Sequence, residues 1–319
     1  MTDSITKRDG HWRRRRAKKP FRLGEFLIER AIFLGGIASI LLVLLIFAFV
    51  FREAVPLIRE YSLWRFLTGR DWQPTLEPPI GPWFGLLPNL WGSLLVTAGA
   101  VVLAVPLGVG AAFYISEVAS RNVRDALKPI VELLATVPSV AIGFVGAAAI
   151  NPLVKDLLHL DTGKSAMAGS IMLAFMAIPT IATISEDAIN AVPRSFRDGS
   201  LALGATKWQG IAGVVLPAAR PGIIAATMLG VGRAIGETMV VIMVTGNAGV
   251  MPDKGLWYAF THSVRTITGT IGAEALEVAS GDAHYRALFL LGTVLFLITF
   301  VLNGIADYAL NRQRRRAQA

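Results

Sequence analysis

Residues 198–217 read DGSLALGATKWQGIAGVVLP and connect two long apolar segments. We predict short helices at about 193–203 and 206–212, on either side of Gly204, because glycine can adopt a positive φ and turn the chain sharply. The side chains exposed by such a turn would be those of Ala202, Leu203, Ala205 and Trp208, bordered by Arg197 and Lys207. Exposed apolar side chains in a loop indicate a protein contact. The alternative is an amphipathic helix that only covers the end of a helix bundle.

The apolar segments around this loop decide the class of protein. Six stretches are long enough for the ~20 apolar residues with which a helix crosses the ~30 Å hydrocarbon layer of a membrane. They are 31–51, 90–116, 133–150, 165–185, 222–245 and 287–306. The chain of 319 residues is 54% hydrophobic and 17% charged, whereas soluble domains carry roughly 25% charged residues. We therefore predict an all-α polytopic membrane protein with six transmembrane helices.

Lysine and arginine residues are distributed unevenly between the apolar segments. Twenty of them lie in the first 30 residues, in 121–128, in 194–207 and after residue 311, and nine lie in 52–89, 151–164 and 246–286. Because cytoplasmic loops are enriched in Lys and Arg, we predict that both termini and the loop at 193–217 are cytoplasmic. The basic N-terminal arm then acts as a topology determinant; binding to anionic lipid or nucleic acid is its alternative function.

The predicted organisation has no second soluble domain. It consists of the basic arm 1–30, a first transmembrane helix 31–51, an external segment 52–89 rich in Trp and Pro, a core 90–310 with five further transmembrane helices, and a basic tail 311–319. We expect 52–89 to lie on the outer membrane surface, since prolines interrupt long helices and tryptophans favour the headgroup layer. Glu186 and Asp187 are expected to be solvated before the loop.

Several classes of site are excluded by the residues present. The chain has no cysteine, its four histidines lack metal-ligand spacing, and the nucleotide-binding pattern GxxxxGK[ST] is absent. We therefore expect no catalytic site, no metal and no cofactor in this chain. Work driven by ATP would need ATP and Mg²⁺ on a separate protein.

Two charged residues stand inside the fifth apolar segment. Arg233 is placed near mid-membrane, where an arginine costs about 2.5–3.5 kcal/mol on the insertion scale and so needs a polar surrounding. Glu237 follows four residues later, on the same face of a continuous helix. One interpretation is a structural pair that neutralises itself. The other is a polar pathway, because the planar guanidinium suits tetrahedral oxyanions.

A polar stripe on the second segment offers a further candidate. Asn89, Ser93 and Thr97 recur every fourth residue and would share one face of a helix. They can line a pathway or form hydrogen bonds between helices. We include Asn89 among the candidate pathway residues.

The loop at 193–217 resembles the signature of ABC importer permeases, E-A-A-x3-G-x9-I-x-L-P. Asp198 occupies the acidic position, Gly199 and Ser200 replace the two alanines, Leu203 precedes the glycine at Gly204, and Val214, Leu216 and Pro217 close the pattern. The resemblance implies the MetI-like type I importer permease fold. It also implies that this loop, called the docking loop below, sits in a groove of an ATPase subunit, with Trp208 as an aromatic anchor.

Further stretches resemble the permeases of the high-affinity phosphate importer, in particular the PstC family. They are Arg-Ala-Ile-Gly-Glu-Thr at 233–238, Val-Pro-Ser-Val at 137–140, Ile-Ser-Glu-Asp-Ala-Ile at 184–189 and 265–274. The resemblance implies a pathway for inorganic phosphate that includes Arg233, Glu237, Thr238 and Ser139. It implies a bacterial inner-membrane location and three kinds of partner: a second, PstA-like permease, a PstB-like ATPase dimer and an external PstS-like phosphate-binding protein. Nucleic acid is not expected.

Two other functions stay open. The first is an importer permease for another oxyanion, such as molybdate, sulfate or phosphonate, or for an organic solute. The second is a stand-alone secondary transporter or channel gated by Arg233 and Glu237. The spacing of the docking-loop signature argues against the second, because a transporter without an ATPase needs no such element.

Overall fold

The computed structural model describes residues 23–318, with side chains up to Tyr308 except for a few at the helix ends. Residues 1–22 of the predicted basic arm and the side chains of the predicted basic tail lie outside this description. The helices are α1 Leu23–Glu60, α2 Leu63–Thr68, α3 Leu87–Phe113, α4 Arg121–Thr136, α5 Ser139–Val145, α6 Asn151–Leu158, α7 Ala166–Asn190, α8 Arg194–Ala202, α9 Lys207–Gly210, α10 Leu216–Gly236, α11 Met239–Val244, α12 Leu256–Thr261, α13 Ile267–Glu274 and α14 Ala283–Gln318. Strands β1 Trp72–Gln73 and β2 Trp83–Phe84 pair antiparallel.

Six helical stretches of the described part are long and apolar enough to cross a membrane, as predicted. They are Leu27–Glu60, Leu87–Val118, Ser139–Leu158, Ala166–Asn190, Lys207–Gly236 and Ala283–Ala306. Three of them continue through a π-helical turn, at Tyr114–Val118, Gly146–Ile150 and Ile211–Val215. The sequence thus identified every one of these helices, although the bounds of all six differ from those predicted, most of all in the first, third and fifth.

The first transmembrane helix is longer than predicted. It was expected to end at residue 51, yet α1 continues to Glu60 and contains Pro56. A proline removes one backbone hydrogen bond but does not forbid the turns that follow it when packing holds them. At the end of α1, Glu60 accepts a 2.7 Å bond from Arg286 of α14.

The third transmembrane helix begins later than predicted. Residues 133–138 were expected to belong to it, but α4 ends at Thr136 and α5 begins at Ser139. Val137 between them is extended, with ψ 129°, because the residue before a proline disfavours the helical region. Helix α4 is therefore a separate element, polar on one side and without a fully buried residue.

Contacts divide the chain into two units, residues 1–48 and 49–319. In the first unit, the described side chains of α1 are almost all exposed. From residue 31 onward these side chains are almost all apolar, which is the surface that a helix in contact with lipid or with another chain requires.

The core of the second unit lies between α3 and α7. It contains several alanines on both helices, including Ala100 and Ala104 of α3 and Ala168 and Ala177 of α7. Small residues let membrane helices approach closely. Elsewhere, an added Cβ at Gly92 of α3 would lie 2.0 Å from the carbonyl oxygen of Arg265, so only glycine fits there.

A second cluster joins the predicted external segment to the last transmembrane helix. Phe66, Trp72 and Phe84 are fully buried with Leu288 and Leu291 of α14. The segment 52–89 is therefore packed into the protein and does more than lie on the membrane surface.

Candidate functional site

Arg233 lies in the last turn of α10, half-buried and held by two other helices. Its Nη1 donates to Oγ1 of Thr180 in α7 at 2.8 Å. Its Nη2 donates to the carbonyl oxygen of Ala135 in α4 at 3.3 Å. Ala135 belongs to the last turn of α4, where unpaired carbonyls and the helix dipole favour a cation. The guanidinium therefore connects the end of α4 to α7 and α10.

Glu237 does not stand where the sequence predicted it. The fifth transmembrane helix was expected to run on to residue 245, but α10 ends at Gly236 and Glu237 is extended, with ψ 132°. Its Oε1 accepts hydrogen bonds from the backbone N–H groups of Thr238, Met239 and Val240 at 3.1, 3.0 and 3.3 Å. A carboxylate that satisfies the first N–H groups of α11 starts a new helix at the point where glycine weakens the old one.

The structural pairing of Arg233 with Glu237, one of the two interpretations of the sequence, is consequently absent from this conformation. Among the described residues, no carboxylate lies within ion-pair distance of the Arg233 guanidinium. The two side chains nevertheless line one narrow crevice, together with Met176 and Ala177 of α7. The crevice is too narrow to hold a water molecule.

Thr238 and Ser139 belong to elements next to Glu237. Thr238 stands just before α11 and packs against α13, so closely that a Cβ added to Gly272 would lie 2.5 Å from the Thr238 methyl group. Ser139 begins α5, which packs against α11: a Cβ added to Gly143 of α5 would lie 3.2 Å from the Cα of Val240. Both candidate residues therefore lie at the starts of helices that meet, Thr238 before α11 and Ser139 in α5.

Asn89 is part of a helix contact. It is fully buried, its Nδ2 donates to Gly85 O at 3.2 Å, and its Oδ1 accepts from Oγ1 of Thr270 at 2.6 Å. Ser93 of the same stripe accepts from the backbone N–H of Ile267 at 2.9 Å. These contacts favour the alternative in which the polar stripe joins helices, here α3 and α13, and Asn89 as a pathway residue stays a prediction.

A cavity of about 340 Å³ opens beside Arg233, between α10 and α14. Its lining includes Met228, Gly232, Arg233, Thr299, Leu302 and Asn303. A larger cavity of about 840 Å³ between α3, α7 and α12 has no charged residue in its lining. Only the smaller one offers a small anion both a cation and neutral polar groups.

The docking loop has the predicted conformation. Helices α8 and α9 flank Gly204, whose φ is +82°. Thr206 and Gln209 form a capping box at the start of α9. Leu203 is 91% exposed and Trp208 is 65% exposed, and the Trp208 ring also meets Phe113 of α3 edge-on at 5.7 Å.

The other predicted residues of the loop differ in their surroundings. Asp198 and Gly199 are exposed on α8, as are Leu216 and Pro217 at the start of α10. Ser200 is buried instead, and its Oγ donates to Arg197 O at 2.8 Å. Arg197 does not border the exposed apolar surface, because its guanidinium turns inward to Glu117.

An ion pair between α4 and α7 was not predicted from the sequence. Nζ of Lys128 lies 2.9 Å from Oε2 of Glu186 and 3.6 Å from Oδ1 of Asp187. Glu186 is 3% exposed, so the expectation that it is solvated is wrong. The hydrogen bond to Glu186 raises the pKa of Lys128, against a smaller opposing effect of burial. The partners are 58 residues apart in sequence, so no local pattern indicates that they pair.

A second unpredicted cluster surrounds Glu274 in the segment expected to be external. Its carboxylate binds Arg265, accepts from Nε1 of Trp72 at 2.9 Å and lies 2.8 Å from Nε2 of His284. Burial by itself raises the pKa of Glu274, but the His284 hydrogen bond, the Arg265 charge and the Trp72 bond together hold it below the usual value of 4.5. Among the side chains that the structure describes, no three of His, Asp or Glu come close enough to hold a metal ion.

Comparison with known proteins gives concordant results. A sequence model described as "Binding-protein-dependent transport system inner membrane component" matches residues 104–316. A probable ABC transporter permease protein, YqgH of Bacillus subtilis, is 36% identical over 258 residues, 81% of each chain. The phosphate transport system permease protein PstC of Mesorhizobium japonicum is 34% identical over 273 residues, 80% of each chain. PstC 1 of Mycobacterium tuberculosis is 32% identical over 320 aligned positions, covering 89% of this chain and 93% of the relative.

Solved structures share the fold. An inward-facing MetNI methionine ABC transporter superposes with a TM-score of 0.53 at 19% identity, covering 72% of this chain and 95% of the other. A bacterial alginate ABC transporter, solved with an alginate-bound periplasmic protein, superposes with a TM-score of 0.58 at 16% identity, covering 92% and 98%. The helical arrangement described above is therefore that of MetI-like importer permeases, and the chain is a multi-pass inner-membrane protein.

Proposed function

The chain belongs to the family of binding-protein-dependent transport system inner membrane components, and we propose that it is the PstC-type permease subunit of an ATP-driven inorganic phosphate importer. The docking loop is the observation that carries the importer assignment. Its turn at Gly204 lies between two short helices and exposes Leu203 at the end of α8 and Trp208 in α9. Exposed apolar side chains of this kind need a partner protein. The choice of phosphate rests on the relatives that bear the PstC name.

The proposed assembly contains four kinds of chain. This permease pairs with a PstA-like permease to enclose the pathway, and a PstB-like ATPase dimer binds ATP and Mg²⁺ and receives the docking loop. A PstS-like protein delivers phosphate from outside. The excess of Lys and Arg in the termini and the docking loop supports their cytoplasmic location. The loop would then lie on the side of the membrane where ATP is available.

Arg233 is the residue that we propose meets the anion. A guanidinium has five N–H donors in a plane, and the contacts to Thr180 and Ala135 use two of its nitrogen atoms. The cavity beside it, with Thr299 and Asn303 in its lining, can admit a small anion. Hydrogen bonds between arginine and phosphate are charge-assisted and frequently bidentate. Arg233 therefore provides one favourable binding site for the anion along the pathway.

Glu237 has a different proposed role. Its carboxylate is occupied by the N–H groups that begin α11, so it keeps the break between α10 and α11 in place. Glu237 also lines the narrow crevice beside Arg233, and its negative charge limits how tightly Arg233 holds an anion in the neighbouring cavity. Weak binding midway along a pathway favours release on the far side.

Uptake of radiolabelled phosphate tests the function. Cells that lack the chain should lose uptake at low external phosphate, and the wild-type gene should restore it. Sulfate uptake in the same cells serves as the control and should not change. Undiminished phosphate uptake in the deletion strain would refute the substrate assignment. Loss of uptake of molybdate, sulfate or phosphonate instead would favour an importer permease for that oxyanion.

A further inference from the structure

The cytoplasmic end of α3 carries a buried carboxylate that the proposed pathway does not use. Glu117 lies in the π-helical turn Tyr114–Val118, and its side chain is 8% exposed. Its Oε1 accepts from Nη2 of Arg197 at 2.7 Å and from Nε at 3.2 Å. Arg197 stands on α8 of the docking loop, 80 residues further along the chain.

The same guanidinium also reaches the end of α7. Nη1 of Arg197 donates to Val192 O at 2.7 Å, and Nη2 donates to Ile189 O at 3.0 Å. These carbonyls lie at and just past the C-terminus of α7, where the helix dipole favours a positive charge. One side chain therefore connects the docking loop to the ends of two transmembrane helices.

Packing below α8 is otherwise loose. A cavity of about 320 Å³ separates α8 from the turn that leads into α10, and its lining includes Glu117, Arg197, Ser200, Leu201, Lys207 and Ile211. Apolar side chains of α8, such as Phe196 and Leu201, are about half-exposed. Without a close-packed interface, α8 is held to the transmembrane helices mainly by directional bonds.

We propose that the contact between Arg197 and Glu117 transmits movement of the docking loop to α3 and α7. The inference rests on the proposed function, because it assumes that an ATPase moves this loop. Charge-assisted hydrogen bonds are about twice as strong as neutral ones and fix a geometry. Loosely packed apolar side chains can slide past one another, whereas this contact carries a displacement of α8 directly to the ends of both helices. Arg197 and Glu117 are positioning residues, since they meet neither phosphate nor ATP.

A polar route continues from this contact towards Arg233. Arg124 of α4 donates from Nε to Ile115 O at 2.7 Å and from Nη2 to Ser116 O, next to Glu117. The opposite end of α4 offers Ala135 O to Arg233. A shift of the end of α3 therefore moves α4 and changes the surroundings of the residue proposed to meet the anion.

Glutamine substitutions in the complete complex test the proposal. In proteoliposomes, Arg197→Gln and Glu117→Gln should raise the ATP hydrolysed per phosphate accumulated by about fivefold or more, the lower end of usual coupling between sites. Co-purification of the ATPase should not change, because the exposed surface at Leu203 and Trp208 is untouched. Arg121→Gln is the control, since Arg121 is 92% exposed on α4, and it should keep the wild-type ratio.

A cross-linking experiment separates transmission from a merely structural role. The chain has no cysteine, so Glu117→Cys with Arg197→Cys introduces the only two thiols. The double variant should be uncoupled, and a bifunctional thiol reagent that joins the two side chains should restore coupling. The same reagent on either single variant should have no such effect.

The outcomes discriminate between the claims. The transmission role would be overturned if both glutamine variants hydrolysed as much ATP per phosphate accumulated as the wild type does. Arrest of transport by the cross-link would overturn it as well. Loss of ATPase co-purification in all variants would assign the pair to folding and also overturn it. Failure of the wild-type complex to accumulate phosphate would instead refute the proposed function.

Discussion

Arg233 is stabilised inside a membrane-spanning helix by its neighbours and not by a partner charge. Its two contacts are a hydroxyl of α7 and a carbonyl at the end of α4. Because these partners carry no charge, no carboxylate neutralises the half-buried guanidinium. This arrangement suits transient binding of an anion better than a pairing with Glu237 would.

Changing Arg233 to lysine separates charge from geometry. Lysine keeps the positive charge but cannot place two N–H groups in one plane towards Thr180 and Ala135. We expect Arg233→Lys and Arg233→Gln to lower phosphate uptake by about tenfold or more, the cost of losing a charged hydrogen bond, with normal assembly. Arg220→Lys, at an exposed position of the same helix, should have no effect. Wild-type uptake kinetics in Arg233→Lys would contradict the need for the planar group.

Glu274 offers a second test at the residue scale. Substitution Glu274→Gln removes the negative charge of the carboxylate that Arg265, Trp72 and His284 all contact. We expect faster hydrogen exchange at residues 70–86, because this carboxylate ties Trp72 to α13. Glu277→Gln, at an exposed neighbour, is the control. Equal exchange in both variants would contradict the role of the cluster.

The pH dependence of that cluster follows from the lowered pKa of Glu274. A carboxylate whose pKa is lower in the folded than in the unfolded protein stabilises the folded state at every pH above its ordinary pKa of 4.5. This stabilisation is lost as the pH falls through the lower pKa of the folded state. The difference in exchange between wild type and Glu274→Gln should therefore be constant from about pH 6 to 8. It should decrease only below the ordinary carboxyl range. A decrease between pH 8 and 6 would show that another group controls the cluster.

At the scale of elements, the docking loop depends on one backbone conformation. Gly204 has φ +82°, and an added Cβ would meet no atom within 4 Å. Any effect of a side chain there comes from backbone strain and not from a clash. Strain in the left-handed region costs about 1–2 kcal/mol for an ordinary residue and more for a β-branched one.

Substitution Gly204→Val should change the angle between α8 and α9. We expect lower co-purification of the ATPase and reduced phosphate uptake, with a normal amount of the permease in the membrane. Gly110→Val is the matched control, because Gly110 also has no atom within 4 Å of an added Cβ but lies inside α3. Gly204→Asn should be intermediate, since asparagine tolerates positive φ. Full co-purification and uptake with Gly204→Val would remove the docking role.

The whole molecule shows which features a sequence can predict. Hydropathy located all six membrane helices among the described residues, because each must present ~20 apolar residues to lipid. The positive φ at Gly204 followed from the residue type and its place between two short helices. Both predictions depend only on residues that are close together along the chain.

Features that depend on distant residues were not predictable in the same way. Hydropathy does not register the break at Glu237, which arises from three hydrogen bonds to one carboxylate. The contacts of Asn89 with Thr270 and of Trp72 with Glu274 join residues 181 and 202 positions apart. Such pairs become visible only when the helices are packed, because many alternative partners satisfy the same donors and acceptors.

Accumulation of phosphate by the purified four-component complex tests the central claim most directly. Proteoliposomes would hold the permease pair and the ATPase with ATP and Mg²⁺ on the ATPase side, and labelled phosphate with its binding protein on the other. The account predicts accumulation that requires ATP hydrolysis, is lowered by about tenfold or more in Arg233→Gln and is not reduced by excess sulfate. Phosphate movement that does not require the ATPase, or undiminished accumulation in Arg233→Gln, would contradict it.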